Sequence, residues 1–344
     1  MEILINPTAT RIWRDANTLQ IGFGQQKVVL ENLQLRHEAF IEALYCGLTP
    51  EQAKEYGRHL KMRTAETQAL ITALKPVLLS NTSRVRPTNS AGETKSTEFD
   101  SGEVASIASL ATDDPLFVAA QGEINRASHL LSSRGESVWS RRQSRVVFLS
   151  HLDRCGLLVA KGLASAGFGA LVVGETNEAK LDVLARDLSE MPLSPQLLRL
   201  PELTENQINR IDLAVLLGQQ LIEPQRFATW MNRRTPHIAA VAASAAEDLQ
   251  PLVSHVMIAG STPCWHCLEY RRRASDQAWP DMASQLIGRE QRFDSASLSL
   301  FLAAKIVEAA VSWVDNDNGF GEPNRGFKWE FNPECGCRLA EGRT

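Results

Sequence analysis

This chain lacks any surplus of positive charge: 36 Lys and Arg stand against 40 Asp and Glu, a formal net charge of −4. Capture of nucleic acid by a global basic field is therefore not expected, and only a local patch would serve that purpose. A membrane-spanning run is lacking as well. The opening MEILINPTATRIWRD has neither the basic start nor the apolar core of a secretion signal, and the most apolar stretch, LSLFLAAKIVEAAVSWV, is interrupted by Lys305 and Glu308. No export signal and no membrane span are expected, which makes the cytoplasm the expected location. In a reducing compartment the six cysteines should remain free or bind metal, so a disulfide framework is not expected either.

What is present is ordinary folded composition, with 44% hydrophobic and 22% charged residues. A chain of 344 residues exceeds one average domain, so two compact units are expected. In the first, TLQIGFGQQKVVLENL contains two alternating apolar runs, 18–23 and 27–33, joined by GQQ, which predicts a β-hairpin. The segments QLRHEAFIEALYCG, TPEQAKEYGRHL and TAETQALITALKPVLL repeat apolar residues at helical spacing, with Thr49, Pro50 and Thr64 where helices should start. A hairpin with three short helices predicts a small winged helix-turn-helix domain over residues 1–80. From 81 to 103 only Val85, Ala91 and Phe99 are apolar enough to anchor packing. Burial there cannot offset the entropy of ordering, and a flexible linker is expected.

The second domain should occupy 104–344. Its first part, to residue 140, has room for one or two amphipathic helices. RVVFLS (145–150) reads as a buried strand, LDRCGLLVAKGLASAG (152–167) as a helix and GALVVGE (169–175) as a second strand, together a parallel βαβ unit. Alternation continues through NEAKLDVLARDLSEM, IDLAVLLG, EPQRFATWMNRR and HIAAVAAS. The fold class predicted is doubly wound, Rossmann-like α/β, with ligands expected beyond the carboxyl ends of the strands.

Cys264 and Cys267 form a CxxC pair, and Cys335 and Cys337 a CxC pair near the other end of the domain. Brought together, four thiolates would make a closed tetrahedral zinc site, structural because no coordination position is left for substrate. A redox pair and unconnected thiols are the alternatives; the redox reading is weakened because the CxxC follows the sheet instead of opening a helix after its first strand. Cys46 and Cys155 sit in apolar helical contexts and read as small buried side chains.

The order of parts, with TRIWRDANTLQIGF near the start, STPCWHCLEYRRRASDQAWPDMASQL and NPECGC, resembles the E1-like, or ThiF-type, superfamily of ubiquitin-activating-like adenylyltransferases. Within it the likeness is to actinobacterial E1-like proteins related to cyclodehydratase partners in thiazole/oxazole-modified peptide synthesis. The resemblance implies a C-terminal zinc clip and an N-terminal element that binds a leader peptide as an added strand. It also implies a partner modification enzyme and a homodimer. The alternative for the N-terminal module is a dimerisation or DNA-binding domain, with Arg58, His59, Lys61 and Arg63 meeting phosphates.

Members of that superfamily that activate carboxylates hold ATP on a glycine-rich turn after the first strand of the α/β domain. Here that turn reads SHLDRCG: Ser150, Asp153, Arg154 and Gly156 occupy it, with a single glycine and an acid where phosphates would sit. Only Glu175 in VVGETN can serve the ribose. LAVLLGQQL has no carboxylate for magnesium, and Asp212 lies at the wrong end of its strand. Arg154 and Lys161 read as surface charges, and His151 shows no catalytic partner. The expectation is a degenerate nucleotide site near Ser150, Asp153, Arg154, Gly156 and Glu175, without ATP or Mg and without catalytic residues: a pseudo-enzyme that binds peptide or scaffolds a partner. An active ThiF-type adenylyltransferase of a peptide or protein carboxylate is the first alternative, and a winged-helix DNA-binding regulator the second.

Overall fold

The computed structural model describes residues 2–7, 9–23, 27–79, 118, 120–126, 135–247, 249–289, 293, 295–315 and 329–338. The segment 81–103, expected to be a linker, lies outside the described residues, as do the GQQ turn and much of 104–134. The chain divides into two compact units, 1–110 and 111–344.

In the first unit three antiparallel strands precede three helices. β1 (Arg11–Trp13) pairs with β2 (Leu19–Ile21), and β2 with β3 (Val28–Leu30) in the register Leu19↔Leu30 and Ile21↔Val28. The hairpin is β2–β3; β1 was not predicted, because three residues are too few to show alternation. Val28 and Leu30 point inward and Val29 outward, as a period of two requires. Helix α2 (Pro50–His59) starts where expected: the Thr49 hydroxyl accepts from the Gln52 amide, the Gln52 side chain accepts from the Thr49 amide, and Pro50 opens the first turn. Helix α3 (Thr64–Ala73) starts at Thr64, but its cap is Arg63, whose amide donates to Glu66 at 3.1 Å. Glu66 also meets His37 (2.6 Å) and Arg36 (3.0 Å), both in the first turn of helix α1 (Leu35–Cys46), tying α3 to α1. Phe40, Ile41 and Leu44 of α1 enter a core with Ile5, Leu19, Ile21 and Leu74. Cys46 corrects the sequence reading: it is exposed, because two residues beyond Leu44 it falls on the opposite side of the helix.

The second unit is a mixed α/β domain on a six-stranded sheet of order β6-β5-β4-β7-β8-β9, the strands being β4 (Val146–Leu149), β5 (Ala170–Val173), β6 (Gln196–Arg199), β7 (Leu213–Gly218), β8 (His237–Ser244) and β9 (Gln250–Val253). The first five run parallel and β9 antiparallel. Helices cover both faces, which is why the inner strands read as unbroken apolar runs. On one side Val147, Leu149, Leu171 and Val215 meet α5 (Arg154–Ser165), α6 (Glu178–Ser189) and α11 (Ala296–Asp315). On the other, Phe148, Val172 and Leu216 meet α8 (Pro224–Asn232) and α9 (Trp265–Ser275). α4 (Gly135–Gln143) precedes β4, α7 (Glu205–Ile208) precedes β7, and α10 (Trp279–Leu286) follows α9. Helix α11 is long and apolar enough to cross a bilayer by length and composition; here Leu302, Ile306, Ala310 and Val314 lie in the core of this unit.

Arg142 on α4 is 1% exposed and makes a bidentate pair with Asp315 at the end of α11, 2.7 and 2.5 Å; it also reaches Glu123 at 2.7 Å and the Ala166 carbonyl at 3.0 Å. At the opposite side of the sheet His237 is fully buried, its Nδ1 donating to the Thr235 carbonyl at 2.9 Å. Burial pushes its pKa down to about 4. Between pH 6.5 and 4 the unfolded chain takes up this proton and the folded chain does not, so stability is full above about 6.5 and falls as pH drops through the window. Denaturant titrations of His237→Gln should show a flatter pH dependence over that interval than the parent.

Candidate functional site

The strand order reverses between β4 and β7, which places the crevice of a doubly wound sheet beyond their carboxyl ends. A cleft of about 530 Å³ lies there, lined by His151, Asp153, Lys180, Gln219, Glu223 and Arg226 among others. Ser150, at the end of β4, is buried and its hydroxyl accepts from the Leu217 amide at 2.8 Å, holding β4 to β7. Its oxygen lies 3.0 Å from His151 Nδ1, and Arg226 Nη1 approaches His151 Nε2. Both contacts are met by a neutral ring protonated on Nδ1. Burial, reinforced by Arg226, lowers the His151 pKa and favours that form.

Asp153 caps helix α5. One carboxylate oxygen accepts from the Gly156 amide at 2.9 Å, the other from Gln219 Nε2 at 3.0 Å. Glu175, after β5, accepts from Lys180 Nζ at 2.8 Å and from the amides of Thr176 and Asn177 at 3.1 Å, with Leu152 at 3.4 Å. Burial opposes ionisation of Glu175, but the Lys180 bond and these amides prevail and hold its pKa at about 2. Two amides of the β4–α5 turn, those of Leu152 and Gly156, thus serve two carboxylates of the chain itself. Arg154 is exposed, Lys161 pairs with Asp187 at 2.6 Å, and Asp212 joins Arg145 and the Val146 amide at the far end of β7. Gln219 and Arg226 were missed in the sequence because neither belongs to a spaced motif; only the position after a strand marks Gln219.

Gly156 is required sterically. A Cβ there would lie 2.1 Å from the His151 carbonyl oxygen, so the turn closes onto the helix only without a side chain. Gly156→Ala should lower stability by about 1–3 kcal/mol in urea denaturation.

The four cysteines converge. Cys264, the N-cap of α9, lies 3.9 Å from Cys267 and 3.5 Å from Cys335, with Cys267 3.5 Å from Cys337, sulfur to sulfur. All four ligand atoms lie within 4.8 Å of one another and all four residues are buried. Tetrahedral thiolates on bonds of about 2.3 Å would sit roughly 3.8 Å apart, so the donor set fits a four-sulfur metal site and is too widely spaced for disulfides. Burial pushes Cys264 up and Cys337 to about 12, so a bound cation is what would draw off their protons.

The residues after the CxxC have a structural explanation. Glu269 accepts from Trp265 Nε1 (2.9 Å), Trp279 Nε1 (2.6 Å) and Arg272 Nη1 (2.6 Å), and the Arg272 guanidinium lies 5.3 Å from both indole rings. Arg272 is 5% exposed and also donates to Ser244 at 2.9 Å. The CLEYRRRASDQAWP stretch therefore joins α9, α10 and the end of β8 through one hydrogen-bonded network centred on the half-buried Glu269.

No family model and no curated protein matches this sequence. Among solved structures, this chain is similar to Escherichia coli MccB with AMPCPP and selenomethionine MccA, at 10% identity, covering 97% of this chain and 99% of that one with a TM-score of 0.45. MccB with ATP is similar at 13% identity, 98% and 100% coverage and a TM-score of 0.45. Selenomethionine PaaA is similar at 11% identity, 77% and 88% coverage and a TM-score of 0.43. At these scores no chemistry is carried over from them to this chain.

Proposed function

We propose that this chain is a zinc-stabilised, E1-like binding protein in which the nucleotide site has been given up and a peptide, such as the leader of a modified peptide, is held for a partner enzyme. The observation that carries this reading is the β4–α5 turn, where Asp153 and Glu175 occupy the amides that would cradle phosphate and add two negative charges beside them. Support for peptide capture comes from the first unit: β3 is a sheet edge with a strand partner on one side only among the described residues, and an incoming strand would use its free amides and carbonyls. Residues 1–80 are proposed as the peptide-binding module, 81–103 as a linker and 104–344 as the docking body, acting in the cytoplasm as a pair of identical chains.

The deciding experiment is calorimetric titration of the full chain with Mg-ATP, together with pyrophosphate exchange in the presence of candidate peptides. No binding heat and no exchange are expected. Micromolar ATP binding with peptide-dependent exchange would make the chain an active adenylyltransferase instead. Light scattering should return twice the chain mass of 38.0 kDa.

A further inference from the structure

Backbone bonds within the three-stranded sheet of the first unit fix which residues face its open side. The Arg14 amide donates to the Thr18 carbonyl and the Gly22 amide to the Thr10 carbonyl, both at 2.8 Å. Hydrogen-bonded pairs in an antiparallel ladder recur at every second residue, so Gln20, opposite Ile12, turns its amide and carbonyl toward β1. Leu19 and Ile21 therefore bond to β3, at Leu30 and Val28. That leaves the amide and carbonyl of Val29, and of Lys27 and Glu31 two residues to either side, directed out of the open edge.

The same three residues are the exposed ones of this strand. Val29 is 39% exposed and stands between Lys27 and Glu31, both exposed. Among the described residues neither of these charges has an ion pair or a hydrogen bond from its side chain. At the opposite edge, on β1, Arg11 is already held by Glu38 and Glu42. On the inward face Val28 and Leu30 keep 7% and 8% exposure where Leu19 and Ile21 are fully buried. The core thus thins toward β3, and apolar side chains from an added strand would complete its cover.

Resting on the reading of the first unit as a peptide-binding module, we propose the order of side chains that the edge selects. From its N-terminus the peptide carries a base, an apolar residue, Val or Ile, a second apolar residue and an acid, laid antiparallel on β3. An antiparallel strand continues the pairing of β1, β2 and β3. Running that way it opposes Glu31 first, Val29 next and Lys27 last. Opposite charges and β-branched side chains stabilise such directly opposed pairs, and like charges destabilise them. The two intervening side chains alternate to the inward face, beside Leu30 and Val28. Main-chain bonds supply the affinity, and the opposed pairs supply the order.

The test is fluorescence anisotropy of the full chain with two fluorescein-labelled peptide amides, Thr-Lys-Leu-Val-Leu-Glu-Thr and the reversed order Thr-Glu-Leu-Val-Leu-Lys-Thr, which share composition and charge. The first is expected to bind at least about fivefold more tightly. Exchanging the two charges of the edge, Lys27→Glu together with Glu31→Lys, should reverse that preference. Val29→Pro takes the central amide from the open edge without removing a bond to β2. It should abolish binding of both peptides while circular dichroism stays unchanged. Equal binding of the two peptides, tighter binding of the reversed one, or a preference that the charge exchange leaves in place would overturn the proposed order and leave strand addition standing. Binding that survives Val29→Pro, or no binding of either peptide up to about 1 mM, would overturn strand addition at β3 and the order with it.

Discussion

Replacing Arg142 by methionine is expected to lower the unfolding free energy of the second unit by about 3–5 kcal/mol, measured by chemical denaturation. The guanidinium is 1% and Asp315 5% exposed at the side chain, and the bidentate geometry leaves neither carboxylate oxygen open to water. Removing the cation strands a desolvated carboxylate and frees the Ala166 carbonyl, and both losses are paid at once. Glu123 is 33% exposed and can turn to solvent, so it adds little. The double variant Arg142→Met, Asp315→Leu should recover a large part of the loss, because no charge is then left without a partner. A double variant no more stable than Arg142→Met would show that the pair does not behave as a desolvated couple.

Elemental analysis of the purified protein should find about one zinc per chain, and Cys264→Ser or Cys335→Ser should remove it. Each thiolate closes a different arm of the site, Cys264 at the head of α9 and Cys335 in the terminal turn, so either change also frees the end of the chain from α9. A loss of about 3 kcal/mol or more corresponds to a drop of roughly 10 °C in melting temperature for a unit of this size. Cys155→Ser, remote from the sulfur cluster, should leave metal content unchanged. Protein that purifies metal-free and melts identically after Cys264→Ser would refute the zinc assignment.

The parallel strands were legible because burial on both faces writes them as solid apolar runs: VVFL, ALVV, LAVLLG and HIAAVAAS all stand where expected. β6 and β9 were not, for a physical reason. Both are edges of the sheet, QLLR is only half-buried, and Pro251 in QPLV lacks an amide hydrogen and is tolerated at an edge. The cysteine cluster was legible from spacing. Cys46 was misread because an apolar neighbourhood in sequence does not fix which side of a helix a residue takes. Nothing in RRR distinguishes Arg272, buried between two indoles, from Arg273, facing a cavity; a step of 100° around α9 decides it.

Asp153 and Glu175 differ from any dissolved anion in being tethered. A phosphate competing for the amides of Gly156 and Leu152 must displace groups whose local concentration is set by the chain, in the millimolar range or far above it, and is never diluted. Raising nucleotide concentration is therefore a weak lever against them, and relieving one carboxylate leaves the other in place. Opening both amides to an added anion would therefore need two substitutions, because removing either carboxylate leaves the other tethered to its own amides.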